Sequence, residues 1–195
     1  MHTRFADRIL VAALASLALT LALHGPALGD PARGPAKPMD SVLRVAVGEM
    51  APDFTLPDLA GTPVRLRDFR ARKNVVLSFV PAAWTPVCSD QWPGYNLITD
   101  ILEEHDAVLL GITVDNTPSQ RAWVEAMGGL RFTVLSDFWP HGAVADTYGI
   151  LRSSGEAERA LFVIDKQGVL RFIEVHDINT RPDLGLLVRE VEKLD

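Results

Sequence analysis

The 195-residue chain carries a single cysteine, Cys88, and only two tyrosines. One thiol excludes an intrachain disulfide, a Cys-x-x-Cys redox pair and a cysteine-based zinc site. Histidine does not make up the deficit. His105, His141 and His176 are the histidines beyond residue 30, and none has ligand spacing with another or with Cys88. Neither a metal site nor a cofactor is expected. Basic clusters are also missing, and the formal net charge is −6, which argues against nucleic acid or anionic lipid as a partner. No internal repeat is present, and no nucleophile elbow supports a Ser-His-Asp arrangement.

The longest apolar run, Ile9 to Leu23, is short of the ~20 residues that a spanning helix needs. Arg4 and Arg8 precede it, and Ala27-Leu28-Gly29 follows as a small-x-small cleavage signal before Asp30. This three-part plan predicts a signal peptide over residues 1–29 and an exported protein, periplasmic or extracellular. An uncleaved N-terminal helix anchoring the chain to a membrane is the alternative. Because no cysteine follows the run directly, a lipid-modified anchor is excluded. Residues 30–44 are rich in Pro, Ala and Gly without periodicity and predict a disordered linker. The remainder, 45–195, has the length of one domain.

Within that domain, Val64-Arg65-Leu66 is a short strand and Val75-Val76-Leu77-Ser78-Phe79-Val80 a buried one. Helical spacing follows, with Trp92, Tyr95, Ile98, Ile101, Leu102 and His105 on one face and a break expected at Pro93-Gly94. Further strands are expected over Val108–Val114 and Phe132–Leu135. Between them a helix spans Pro118–Met127, with Ala122, Trp123 and Ala126 inward and Gly128-Gly129 stopping it. Gly142–Tyr148 is a short helix closed by Gly149. Ala160–Ile164 and Val169–Val175 form a hairpin around Asp165-Lys166-Gln167-Gly168, and Pro182–Leu194 closes the chain as a helix. This order predicts an α/β domain with a mixed central sheet flanked by helices, parallel in one half and antiparallel in the other.

Cys88 falls where the buried strand has ended and the helix begins. Unpaired N–H groups and the positive end of the helix dipole favour thiolate there. Pro81, Thr85 and Cys88 stand in the spacing Pro-x-x-x-Thr-x-x-Cys, which resembles the active-site loop of peroxiredoxins, the thiol peroxidases. Gly48-Glu49-Met50-Ala51-Pro52-Asp53-Phe54 resembles the start of the same domains. The resemblance covers about Val47 to Leu194 and implies a thioredoxin-like fold of the peroxiredoxin variant. It also implies a peroxidase that reduces hydrogen peroxide or organic hydroperoxides through Cys88 in antioxidant defence.

A thiolate peroxidase must hold its sulfur charged and polarise the O–O bond. Thr85, three residues before Cys88, is placed to aim its hydroxyl at the sulfur and the peroxide. The backbone N–H groups of Val87 and Cys88 serve as oxyanion donors, and Pro81 closes the loop over the sulfur. The resemblance points to Arg159 as the cation and to Gln91 as the residue that orients it. Trp84 is expected to line the pocket. Arg159 and Trp84 also have plain structural alternatives, as a solvated strand-end charge and a core aromatic.

The lone thiol departs from the commonest family pattern and implies the one-cysteine type, reduced by an external thiol or redox protein. The resemblance implies a homodimer, with Trp139-Pro140 as a candidate contact. Two other classes fit less well. An exported thioredoxin-like thiol–disulfide oxidoreductase needs a second thiol, and Thr85 occupies its place. A non-catalytic thioredoxin-fold binding protein, such as a copper carrier, needs a cysteine where Trp84 stands.

Overall fold

The computed structural model describes residues 39–194. The expected signal peptide, the linker up to residue 38 and Asp195 lie outside the described residues. No helix among the described residues is long and apolar enough to cross a membrane.

Strand β3 (Asn74–Phe79) is buried along its whole length, because packed layers cover both of its faces. Its alternation sends Val75, Leu77 and Phe79 into one hydrophobic cluster. Val76 and Val80 enter the other, which also holds Cys88 and Trp92. Ser78 is the polar member on the Cys88 side.

The main sheet has the order β5-β4-β3-β6-β7. Strands β4 (Ala107–Thr113) and β5 (Thr133–Ser136) continue parallel to β3. Strands β6 (Arg159–Ile164) and β7 (Leu170–His176) form the antiparallel half. The β6–β7 turn is tied by Asp165 Oδ1, which accepts from the N–H groups of Gln167 and Val169 at 2.9 Å. A separate hairpin joins β1 (Thr55–Pro57) to β2 (Pro63–Arg65). The mixed sheet agrees with the α/β expectation.

Helices α1 (Pro86–Tyr95), α2 (Thr99–Glu104), α3 (Thr117–Ala126), α4 (Ala143–Tyr148) and α5 (Leu184–Glu192) follow in chain order. Trp92, Leu102, Trp123 and Leu187 carry α1, α2, α3 and α5 into the Cys88 cluster, while Tyr148 carries α4 into the other. The break near Pro93-Gly94 falls after Tyr95, so the single expected face is shared by two helices. Trp92, Tyr95, Ile98 and Leu102 still point inward across it. In α3, Trp123 is buried as expected, but Gln120 and Val124 accompany it, and Ala122 and Ala126 face solvent.

The rings of Trp92 and Trp123 pack at a 36° tilt with centroids 4.9 Å apart, and Gly111 of β4 makes room for Trp92 and Phe132. A Cβ on Gly111 would stand 2.8 Å from Trp92 Cζ2. Burying each indole contributes on the order of 3 kcal/mol.

Residues 39–44, expected as the end of the linker, lie against the domain instead. Asp40 N–H and Ser41 Oγ donate to Glu158 Oε1 at 2.7 and 3.0 Å. Glu158 Oε2 pairs with Arg152 at 2.5 Å, with both side chains almost wholly buried. Composition could not reveal this docking, since it depends on a buried carboxylate 117 residues away from Ser41.

Candidate active site

The register of the sheet assembles the site. Phe79 at the end of β3 pairs with Ala160, so Arg159 lies just beyond it at the edge where the Pro81–Thr85 loop leaves the strand. The loop is fastened from the neighbouring strand: Ala83 N–H donates to Asp115 Oδ2 at 2.8 Å, and Thr113 Oγ1 donates to the same oxygen at 2.7 Å. Asp115 lies just beyond the strand expected over Val108–Val114, and no local signal identifies this latch.

Pro86 occupies the first turn of α1, where its missing N–H costs nothing and its fixed φ suits a helix. Thr85 is the N-cap in extended conformation. Ser89 N–H makes the first helical bond, to Thr85 O at 2.9 Å. The N–H groups of Val87 and Cys88 precede it and have no helical acceptor, the state expected of first-turn donors. The Thr85 hydroxyl donates to Ala82 O at 2.9 Å, closing the loop on itself and leaving its oxygen as an acceptor.

Cys88 is fully buried, and Arg159 is 1% exposed. A guanidinium without water must find acceptors in the protein. Arg159 Nη2 donates to Cys88 Sγ at 3.4 Å and to Ile178 O at 2.9 Å. Its Nη1 donates to Gln91 Oε1. Gln91 Nε2 passes the chain on to Tyr95 Oη at 2.7 Å, and Trp92 Nε1 donates to Ser78 Oγ at 3.2 Å behind it. Burial pushes the Tyr95 hydroxyl above its ordinary range, against the opposing hydrogen bonds to Gln91 and Ser78, so it stays a neutral phenol.

A cleft of about 260 Å³ opens over this network, walled by Pro81, Thr85, Pro86 and Val87, with Arg159 reaching its base. The sulfur lies behind that lining, one guanidinium contact away. The structure therefore brings together Cys88, Arg159 and Gln91 by direct contact, and adds Pro81, Thr85 and Val87 as cleft wall. Trp84 is not part of it. With φ at 66° its backbone is left-handed, and the indole is 58% exposed and outside the cleft wall. Ile178, whose carbonyl grips the arginine, and Ser78 and Tyr95 carry no motif and were not identified from sequence. Among the described residues no group of His, Cys, Asp and Glu is arranged to hold a metal ion.

Comparison with known proteins identifies the family. Residues 47–173 match the AhpC/TSA family. Alkyl hydroperoxide reductase E of Mycobacterium tuberculosis is 41% identical over 130 residues, covering 66% of this chain and 84% of that protein. Peroxiredoxin-1 of Gallus gallus is 32% identical over 143 residues, covering 68% and 70%. Among solved structures, the mitochondrial 2-cys peroxiredoxin from Plasmodium falciparum superposes with a TM-score of 0.69 at 28% identity, over 76% of this chain and 93% of that one. Mycobacterium tuberculosis AhpC superposes with a TM-score of 0.71 over 77% and 93%, and at 21% identity it speaks for the fold alone.

Proposed function

The chain belongs to the AhpC/TSA family of peroxiredoxins and is a thiol-dependent peroxidase; from that premise we propose that Cys88 is the sulfur that attacks the peroxide and Arg159 the cation that prepares both. The contact between Arg159 Nη2 and Cys88 Sγ, buried on both sides, carries this assignment. A charge-assisted donor on sulfur stabilises its negative charge, and the forked guanidinium can hand a second N–H to a peroxide oxygen at the base of the cleft.

The sulfur gives an electron pair to the outer peroxide oxygen. The O–O bond breaks, and the inner oxygen leaves as alkoxide or hydroxide and takes up a proton. Arg159 and the free N–H groups of Val87 and Cys88 stabilise the charge that develops. Pro81 and Thr85 hold the wall that keeps bulk water from the sulfur. Gln91, braced by Tyr95, is a positioning residue that fixes the arginine. The product on Cys88 is a sulfenic acid, and with no second thiol in the chain an external thiol resolves it.

We place the enzyme outside the cytoplasm on the basis of the three-part N-terminal segment; cell fractionation with an antibody to the mature domain tests this. For the chemistry, stopped-flow mixing of reduced protein with hydrogen peroxide follows tryptophan fluorescence, since buried Trp92 and Trp123 share the Cys88 cluster. A peroxide-dependent fluorescence change that is abolished in Cys88→Ser supports the assignment. The same change in Cys88→Ser overturns it.

A further inference from the structure

The outer part of the cleft has a chemistry of its own. Glu156 is half-buried and Asn179 is exposed, and both line the cleft above buried Arg159. Glu156 is held by its surroundings. Ser154 Oγ donates to its carboxylate, and its carbonyl accepts from Arg152 N–H at 2.9 Å. Residues Leu151 and Ala157 bridge across the base of this turn, and the buried Arg152–Glu158 pair anchors it. Asn179 is oriented as well, because its Nδ2 donates to Asp177 Oδ1 at 2.9 Å. That leaves its carbonyl oxygen as the acceptor to offer. The Thr85 hydroxyl is engaged with Ala82 O, and the other wall residues offer apolar side chains. The rim therefore presents acceptors and negative charge, and the one cationic side chain among the lining residues, Arg159, is oriented beneath it by Cys88, Gln91 and Ile178.

We propose that Glu156 selects the thiol that reduces the oxidised enzyme by its charge, favouring thiols that carry a cationic amine over those that carry a carboxylate. This rests on Cys88 being the peroxidatic residue. An aminothiol can enter with its ammonium on Glu156 and Asn179 and its sulfur directed inward. Its thiolate attacks the Cys88 sulfenic sulfur, an S–S bond forms, and the sulfenic oxygen leaves as water after taking up a proton. A second molecule of the same thiol then attacks the mixed disulfide at the reductant's sulfur, which frees Cys88 as thiolate and releases the symmetrical disulfide of the reductant. The carboxylate also disfavours anionic thiols, so discrimination arises from attraction and repulsion together.

The test uses three small thiols of similar size: cysteamine (cationic), 2-mercaptoethanol (neutral) and thioglycolate (anionic). Protein is oxidised with one equivalent of hydrogen peroxide, checked by mass for one added oxygen, then mixed with each thiol while the mixed disulfide is followed. Comparing variants thiol by thiol cancels the intrinsic reactivity of each reductant. The cysteamine-to-thioglycolate rate ratio should fall about tenfold in Glu156→Gln. Glu156→Lys should lower it further, Glu156→Asp should keep it near the parent value, and added salt should compress the differences. A ratio that is the same in the parent, Glu156→Gln and Glu156→Lys proteins, with the oxygen present, overturns the role of Glu156 alone. Failure of the parent protein to gain the oxygen overturns the assignment of Cys88, and this inference with it.

Discussion

Arg159 Nη2 donates to Cys88 Sγ at 3.4 Å, across 71 residues of chain and with both side chains shut off from solvent. Two features of the fold produce that contact. The β3–β6 register sets Arg159 beside the end of β3, and the Pro81–Thr85 loop returns Cys88 to the same edge in the first turn of α1. Arg159→Lys keeps the charge but offers no fork to serve Cys88, Gln91 and Ile178 at once. The peroxidase rate should fall by about 10²-fold or more, the scale of losing one oxyanion donor. A lysine enzyme within threefold or so of the parent would show that only charge matters there.

Gln91 should matter through its carbonyl oxygen. In Gln91→Ala, Arg159 Nη1 loses its side-chain acceptor and Tyr95 Oη keeps only Ser78 as a side-chain partner, at a cost of about 1–3 kcal/mol in stability. Looser aim of the guanidinium should slow peroxide reduction roughly tenfold. Gln91→Glu retains an acceptor and should recover most of that rate. Equal losses in both variants, measured by peroxide consumption, would mean that the residue only fills space.

Gly111 couples β4 to the helix that carries Cys88. In Gly111→Ala the new methyl meets Trp92 Cζ2 at 2.8 Å and Phe132 Cε2 at 3.0 Å, so the indole must shift. Overpacking of this kind should cost about 1–3 kcal/mol in urea denaturation. Because Trp92 lies on α1 one turn after Cys88, the peroxide rate should fall as well. An unchanged denaturation midpoint would contradict the packing described.

Both tyrosines of the chain are buried, and burial holds both hydroxyls above the ordinary value of 10.0. Tyr148 Oη donates to Pro52 O at 2.9 Å, and Tyr95 sits in the Gln91 network. The unfolded chain therefore releases these protons before the folded chain does. Stability from this source is fully present below pH 10.0 and declines as pH rises beyond it. Phenolate absorbance should appear only together with loss of the near-ultraviolet circular dichroism of the packed indoles. Phenolate titrating smoothly around its ordinary value, with that signal intact, would contradict the burial.

Much of the candidate site is legible in the sequence because it is local. Pro81 and Thr85 lie in one loop and Cys88 in the first helical turn after it, between a β-branched run and a helical repeat that both follow from side-chain periodicity. Arg159 was reachable through the resemblance alone, since a charge before a strand has no period to mark it. What stayed hidden depends on long-range pairing: the Asp115 latch on Ala83, the Ile178 carbonyl on Arg159, and the docking of Asp40 and Ser41 on Glu158. The loop position of Trp84 suggests the pocket wall, whereas its backbone is left-handed and its side chain is largely exposed. The helical offset of Thr85 from Cys88 does not reveal that its hydroxyl also closes the loop onto Ala82 O.

The most direct test of Cys88 as a lone peroxidatic sulfur is intact-mass spectrometry after one equivalent of hydrogen peroxide, without reductant. The expected product is monomeric protein with one added oxygen, trapped by dimedone on the Cys88 peptide and converted to a mixed disulfide by added small thiol. A covalent dimer through Cys88 as the dominant early product, or unmodified protein with the peroxide unconsumed, would contradict it.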